Sequence, residues 1–141
     1  MKLPYFLIDA FTDQAFTGNP AAVYVLNAPL SDDLMQKIAA EMNLSETAFV
    51  LQDRNATRLR WFTPTTEVDL CGHATLASAH ALFTAIDQPQ RGVITFDSAS
   101  GALTCEQTPA GIRLDFPATP PSPMPTDADI CKQLGVTDPI Y

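Results

Sequence analysis

The sequence predicts an α+β fold in which antiparallel strands wrap around one central, buried helix. Two observations lead to this prediction. Residues 73–84 carry apolar side chains on every side of a helix, which is typical of a helix enclosed by other elements. Short segments rich in aromatic and β-branched residues, separated by turn residues, precede and follow this helix. With 141 residues, of which 46% are hydrophobic, the chain can enclose one such core.

The first predicted elements are two neighbouring strands and an amphipathic helix. Residues 4–11 and 21–27 have the aromatic and β-branched content of strands, and the turn signals of TDQAFTGNP separate them. In the following segment, SDDLMQKIAAEMN, apolar residues recur every four positions, which predicts a helix. We expect Ser31 to cap its amino end and Asn43 to end it.

A hairpin, the central helix and a strand meander come next. Residues 47–53 and 56–63 predict the hairpin, and in its second strand arginines alternate with Leu59 and Trp61, so one face is expected to contact water. After the central helix, three further strands alternate with turn segments: residues 92–98, 102–107 and 111–116.

The composition changes after Phe116, and this change suggests the domain boundaries. Five prolines within nine residues exclude helix and sheet interior there. We therefore predict one domain at 1–116, a proline-rich linker at 117–126 and the start of an incomplete second domain at 127–141. In that last segment a short helix should end at Gly135, and another strand should begin after it.

The charge and the cysteines exclude several classes of function. A net charge of −8 leaves no basic surface for nucleic acid or for an anionic membrane, so we expect neither as a partner. The amino terminus lacks the features of a signal peptide, and no apolar segment reaches the roughly 20 residues of a membrane span. Three scattered cysteines indicate neither a disulfide framework nor a zinc site. A cytoplasmic protein that binds small molecules or other proteins fits this composition.

Glu46 is the leading candidate for acid–base chemistry. It lies between the amphipathic helix and an apolar strand, next to Ser45 and Thr47. Charged side chains are rarely buried without a partner, so an inward-pointing carboxylate here would be informative. Such a carboxylate can exchange protons with a ligand near neutral pH. The alternative interpretation is a surface position at the end of the strand, which is the commoner one for carboxylates.

The start of the central helix predicts an anion site. Gly72 allows close approach of a ligand, and the unpaired amides of the first turn lie at the positive end of the helix dipole, where a substrate carboxylate can be held. The same field is expected to lower the pKa of the Cys71 thiol, which would make Cys71 a base or a nucleophile. The alternative is structural, with His73 as a capping residue and Cys71 as a small buried hydrophobe.

Two other polar residues have weaker signals. His80 lies about two turns beyond His73 on the same helix, too far to share a ligand, and we interpret it as structural. The TGNP segment at 17–20 is typical of a turn, and it offers Asn19 as a candidate contributor to a pocket.

The segments DAFTDQAFTGNPAAV, EMNLSETAFV and RLRWFTPTTEVDLCGHATLASAH, in this order and spacing, resemble the amino-terminal half of the phenazine-biosynthesis isomerase family, the PhzF-like proteins of the diaminopimelate epimerase superfold. The resemblance runs nearly continuously from Ile8 to Phe83. It implies two similar domains, each with antiparallel strands around a central helix, and an active site between them that faces the amino ends of both helices. This chain would correspond to one of the two domains.

The resemblance also implies an activity and the residues that perform it. Family members are isomerases without cofactor or metal, in which one carboxylate moves a proton between carbons of a small carboxylated substrate. By position, the proton-shuttling carboxylate corresponds to Glu46, with Ser45 beside it, and the pocket histidine corresponds to His73, next to Gly72. The acidic residue and the glycine and serine anion site of the second domain have no counterpart in these 141 residues.

Two alternative functions differ from this one in class. Cys71 coincides with the place where related amino-acid racemases and epimerases keep one of two catalytic thiols, which implies a two-base racemase whose second thiol comes from another domain. The other alternative is a non-catalytic half-domain that self-associates, because an incomplete barrel exposes strand edges and an apolar face. Either as a homodimer or paired with the missing second half, the chain would face a second helix start.

Overall fold

The computed structural model describes residues 2–53, 56–84, 92–118, 120–122, 125 and 127–137. The strands are β1 (Tyr5–Ala10), β2 (Asn19–Leu26), β3 (Glu46–Gln52), β4 (Thr57–Phe62), β5 (Glu67–Val68), β6 (Val93–Ser98), β7 (Gly101–Thr108) and β8 (Gly111–Asp115). The helices are α1 (Asp32–Met42), α2 (Gly72–Thr84) and α3 (Ala128–Leu134). None of the helices in the described ranges has the length and hydrophobicity to cross a bilayer.

All the strands belong to one mixed sheet. Their order is β1-β2-β3-β4-β6-β7-β8, and the short β5 pairs with β4. β2 pairs with β3, and β4 with β6, in parallel, whereas the other pairs are antiparallel. The predicted α+β fold is confirmed, and these two parallel pairs are a difference in detail. Each parallel pair is joined through a helix, α1 or α2, because parallel neighbours need a long crossover.

Helix α2 lies inside the curve of this sheet. It contacts β1, β2 and β3 at one end of the strand order and β7 and β8 at the other, so the sheet curls around the helix. Small side chains such as Ala74, Ala77 and Ser78 are fully or almost fully buried and let the strands approach the helix closely. The prediction of a central buried helix is confirmed, with two exposed positions: His80, in the opening between β1 and β8, and Thr84, the last residue of the helix.

Helix α1 covers the opposite, convex face of the sheet. Its Met35 and Ala39 pack with Tyr24, Phe49 and other side chains of β2, β3 and β4 in a second apolar cluster. The predicted ends of this helix are confirmed. The Ser31 hydroxyl accepts a hydrogen bond from the Leu34 amide, and Asn43 ends the helix in the left-handed conformation at a φ of 50°.

The segment after the last strand carries a short exposed helix. Asp127 caps α3 by accepting hydrogen bonds from the amides of Asp129 and Ile130, and Gly135 ends it at a φ of 68°. The helix lies where the sequence predicted it. Val136 and Thr137 are not in a strand, and the rest of the predicted strand, 138–141, lies outside the described residues. The division at 116 and 126 stays a prediction.

Candidate active site

The strand alternation places the Glu46 side chain on the face of the sheet that packs on α2. Glu46 is the first residue of β3, and the next residues on its face, Ala48 and Val50, belong to the core that surrounds α2. The side chain of Glu46 is 21% exposed. The structure therefore contradicts a position in bulk solvent and leaves the carboxylate partly accessible.

His73, in the first turn of α2, is an electrostatic partner of this carboxylate. Its side chain is 8% exposed, and its Nε2 atom lies 3.5 Å from Oε2 of Glu46. This distance allows an electrostatic contact, but the geometry is not that of a hydrogen bond, and Nε2 has no hydrogen-bond partner among the described residues. A buried ring nitrogen without a hydrogen-bond partner destabilises the fold unless a ligand or an ion binds to it.

Cys71 immediately precedes α2 and occupies the capping position of the helix. Its Sγ atom lies 3.4 Å from Nδ1 of His73, and the backbone amides of His73 and Ala74 donate to the sulfur. Sequence reasoning considered His73 as the capping residue and overlooked Cys71. The signal that would have identified it is its place one residue before the glycine that begins the helix.

The thiol of Cys71 is held in its protonated form. Burial, and secondarily the negative charge of Glu46, raise its pKa from 9.0 to about 11. The helix-start amides act in the opposite direction, as the sequence predicted, but they are outweighed. The prediction of a lowered thiol pKa is therefore wrong. Burial destabilises the thiolate by more than the two amide hydrogen bonds stabilise it.

The aromatic ring of Phe116 covers the start of α2. A Cβ atom built on Gly72 would lie 3.3 Å from Cε2 of Phe116, closer than such contacts ordinarily are. Gly72 therefore lets the ring close over the first turn, in addition to allowing the approach of a ligand. Phe116 is not among the site residues expected from the sequence; the one signal for it is that it ends an apolar strand just before the prolines.

Asn19 and Ser45 lie at the same edge of the sheet as Glu46. Asn19 begins β2, and Ala21, two residues later, is the registered partner of Glu46 in the parallel pair. Ser45 is exposed and directly precedes Glu46. Within the described ranges, no hydrogen bond joins either side chain to Glu46 or His73. The structure thus brings Glu46, Cys71 and His73 together and leaves Asn19 and Ser45 at the rim.

The turn that precedes Asn19 is fixed by a glycine. A Cβ atom on Gly18 would lie 2.4 Å from the carbonyl oxygen of Ala10, so only glycine fits there. The amide of Phe16, in the same loop, donates to the carboxylate of Asp9 over 3.2 Å. These contacts hold the loop against the end of β1. They therefore fix the position of Asn19, where β2 begins.

His80 lies in a different part of the molecule. It lines a cavity of about 420 Å³ between β1, β8 and α2, together with Ile8, Leu76 and Ile112. None of Glu46, Cys71 and His73 lines this cavity. His80 therefore lies outside the cluster of Glu46, Cys71 and His73, and its interpretation as structural stays a prediction.

The three clustered residues combine two chemical capacities. A carboxylate and an imidazole within 3.5 Å can share or transfer a proton. One ligand atom from each of Glu46, Cys71 and His73 also lies within 4.8 Å of the other two, so the same cluster can hold a metal ion. The sequence predicted no metal site because its cysteines lack paired spacings, a criterion that does not detect ligands from three residue types on two elements.

The chain is similar to proteins of one known family. The family model described as "Phenazine biosynthesis-like protein" matches residues 8–133. An uncharacterized isomerase of Pseudomonas aeruginosa is 50% identical over 136 residues, which are 96% of this chain and 52% of the relative. The crystal structure of a phenazine biosynthesis protein of the PhzF family from Enterococcus faecalis has a TM-score of 0.86 at 45% identity, covering 96% of this chain and 52% of that one.

A more distant structure extends the similarity to an epimerase. A predicted epimerase from Pseudomonas aeruginosa has a TM-score of 0.70 at 28% identity, and the match covers 95% of this chain and 49% of that chain. In each of these comparisons, the chain spans about half the length of the protein that it matches.

Proposed function

The chain belongs to the phenazine biosynthesis-like family, and on this premise we propose that it carries the proton-transferring half of a cofactor-independent isomerase site. Relatives that it matches are named as isomerases, which supports this class of reaction. The substrate class that fits the site is a small carboxylated molecule, such as an unsaturated ring acid or an amino acid. Glu46 is the general acid and base.

The position of the Glu46 carboxylate is the observation that carries this proposal. The group is mostly buried, 21% exposed, and faces the unpartnered Nε2 of His73 at 3.5 Å. A partly accessible carboxylate can meet a ligand, and surroundings with little water strengthen its electrostatic interactions. A fully exposed carboxylate would lack the second property.

The proposed reaction is a proton transfer between carbon and Glu46. The carboxylate accepts a proton from a carbon next to the carboxyl group of the substrate, and the electron pair of the broken C–H bond moves into that conjugated carboxyl group. Glu46 then returns the proton to the same or to another carbon. The first-turn amide of Gly72, and His73 when its Nε2 carries a proton, stabilise the developing negative charge. Ser45 and Asn19 orient the substrate from the rim.

Solvent deuterium exchange tests this function directly. The protein is incubated in deuterated water, with a metal chelator, against a panel of small unsaturated ring acids and amino acids, and carbon-bound protons are followed by NMR. We expect one structural class to lose a proton signal only when the protein is present. Absence of exchange across the panel, or exchange that appears only with an added metal or cofactor, would contradict the proposal.

We also propose that a second surface closes the site opposite α2, supplied by a second copy of the chain or by a further domain. The partial exposure of the Glu46 side chain, beside a buried His73, supports this idea. If a second copy closes the site, the exchange rate per chain should rise with protein concentration and reach a plateau as the dimer forms. Light scattering over the same concentrations measures the dimer. A rate per chain that stays constant while dimers form would exclude the second copy.

Replacement of Cys71 by serine separates the carboxylate mechanism from a thiol-based racemase. A thiol with a pKa of about 11 is almost entirely protonated at neutral pH and is a poor proton acceptor. Serine preserves the capping position, so we expect Cys71→Ser to keep the exchange rate within about tenfold of the wild type. A rate that falls by a factor of about 100 or more, with an unchanged melting temperature, would instead support the racemase.

A further inference from the structure

We propose that Glu46, Cys71 and His73 form a binding site for Zn²⁺, and that zinc bound there is a reversible inhibitor of the protein. Binding of the ion does not depend on the proposed isomerase activity. The inhibitory effect does, because it requires that Glu46 serve in proton transfer. The two parts of the proposal are therefore tested by separate measurements.

The spacing of the donor atoms suits a small tetrahedral ion. Bond lengths of about 2.0–2.3 Å to zinc place neighbouring ligand atoms about 3.3–3.6 Å apart. The separation of 3.5 Å between Oε2 of Glu46 and Nε2 of His73 lies within this range of ligand–ligand distances. One ligand atom from each of the three residues lies within 4.8 Å of the others. Rotation of the Cys71 and His73 side chains, which breaks the contact between Sγ and Nδ1, is needed to bring the sulfur and Nε2 to one ion.

The unpartnered ring nitrogen is an independent indication of a ligand. Nε2 of His73 is buried and faces a carboxylate oxygen without forming a hydrogen bond. When Nδ1 donates its hydrogen to the sulfur of Cys71, Nε2 presents a lone pair to the carboxylate. Two lone pairs facing each other at this distance repel unless a cation lies between them. A bound metal ion in this place removes the repulsion.

The types of donor select zinc over the abundant hard cations. A thiolate, an imidazole and a carboxylate are all ordinary zinc ligands, whereas magnesium and calcium prefer oxygen donors alone. Two negatively charged ligands neutralise the ion in a mostly buried place. The amides of His73 and Ala74 that point at the sulfur stabilise it as a thiolate. Three protein ligands leave a fourth position for water or for a substrate carboxylate.

Metal binding and proton transfer compete for the same atoms. When zinc binds, the S–H bond of Cys71 breaks, its proton passes to the solvent, and a Zn–S bond forms. The carboxylate of Glu46 and Nε2 of His73 donate lone pairs to the ion. With its oxygen bound to zinc, Glu46 no longer accepts a proton from carbon, so exchange stops until a chelator removes the ion.

Cobalt and zinc titrations of the whole chain test the site without an activity assay. Co²⁺ reports a thiolate ligand through a charge-transfer absorption in the near ultraviolet, and Zn²⁺ affinity is measured by competition with a chromogenic chelator. We expect one ion per chain and a charge-transfer band for the wild type. Cys71→Ser should lose the band and bind zinc at least about tenfold more weakly, and His73→Gln should also bind zinc more weakly by at least about tenfold.

Cys131→Ser is the matched control, since Cys131 lies on α3, away from the cluster. It should bind both ions like the wild type, and circular dichroism should show that every variant is folded. A wild type without a thiolate band, or a band that survives Cys71→Ser and disappears in Cys131→Ser, would overturn the metal site. Zinc that binds with the expected residue dependence but leaves deuterium exchange intact would overturn inhibition alone.

Discussion

Replacement of Glu46 by glutamine is expected to lower the rate of substrate deuterium exchange by a factor of about 100 or more, because a positioned acid–base group contributes roughly 10² to 10⁴ to a rate. Glutamine keeps the size of the side chain and its polar contact with His73 but cannot accept the proton. The melting temperature should change little, since the side chain is at the open end of β3 and the core begins at Ala48. NMR in deuterated water measures the rate.

Glu41→Gln provides the control for this measurement. Glu41 lies on α1, exposed to solvent, and the substitution makes the same change of charge without touching the site. Its exchange rate should equal that of the wild type. If Glu46→Gln exchanged as fast as Glu41→Gln, Glu46 would not be the base, and the contact with His73 would have to be structural.

Replacement of Phe96 by alanine is expected to cost roughly 3–5 kcal/mol of the free energy of unfolding, the range for large aromatic residues in a core. Phe96 is fully buried in the core around α2. It also lies at a narrow junction of the sheet, where, among the described residues, β6 pairs with β4 at two registered positions, Thr57↔Phe96 and Arg58↔Asp97. A cavity there weakens the link between the two parts of the sheet.

Chemical and thermal unfolding measure this effect. For a chain of this size the expected loss lowers the melting temperature by roughly 10 °C. Val93→Ala is the control on the same strand, because Val93 is 49% exposed and should change the melting temperature little. Equal effects of the two substitutions would show that the contact of Phe96 with the central core does not hold the sheet together.

Local sequence signals predicted most of the individual elements. The caps Ser31 and Asn43, the spacing of apolar residues in α1 and the all-round apolar character of α2 each depend on neighbours a few positions away. The parallel pairs and the two-residue strand β5 were not predicted, since pairing direction is determined by crossovers between distant segments. The alternation of apolar and polar residues along a strand does not determine which strands are neighbours in the sheet.

The sequence identifies the main residues of the candidate site but not their protonation states. Glu46 and His73 were identified as candidates, and the structure shows them within 3.5 Å of each other. The protonation of Cys71 was not predictable, because the sequence reveals the helix start but not the extent of burial around the thiol. The ring of Phe116 was missed for a similar reason: only the folded chain brings the end of β8 over the start of α2.

The parallel pairing of β2 and β3 has a consequence for how substrate preference can diversify. Both strands start at the same edge of the sheet. The loop that ends at Gly18 and the segment that ends at Ser45 therefore lie side by side at this edge, which we call the entrance of the candidate site. Substitutions and insertions in either segment reshape that entrance while the packed interior stays untouched. Divergent specificities can therefore evolve on this scaffold with little loss of stability.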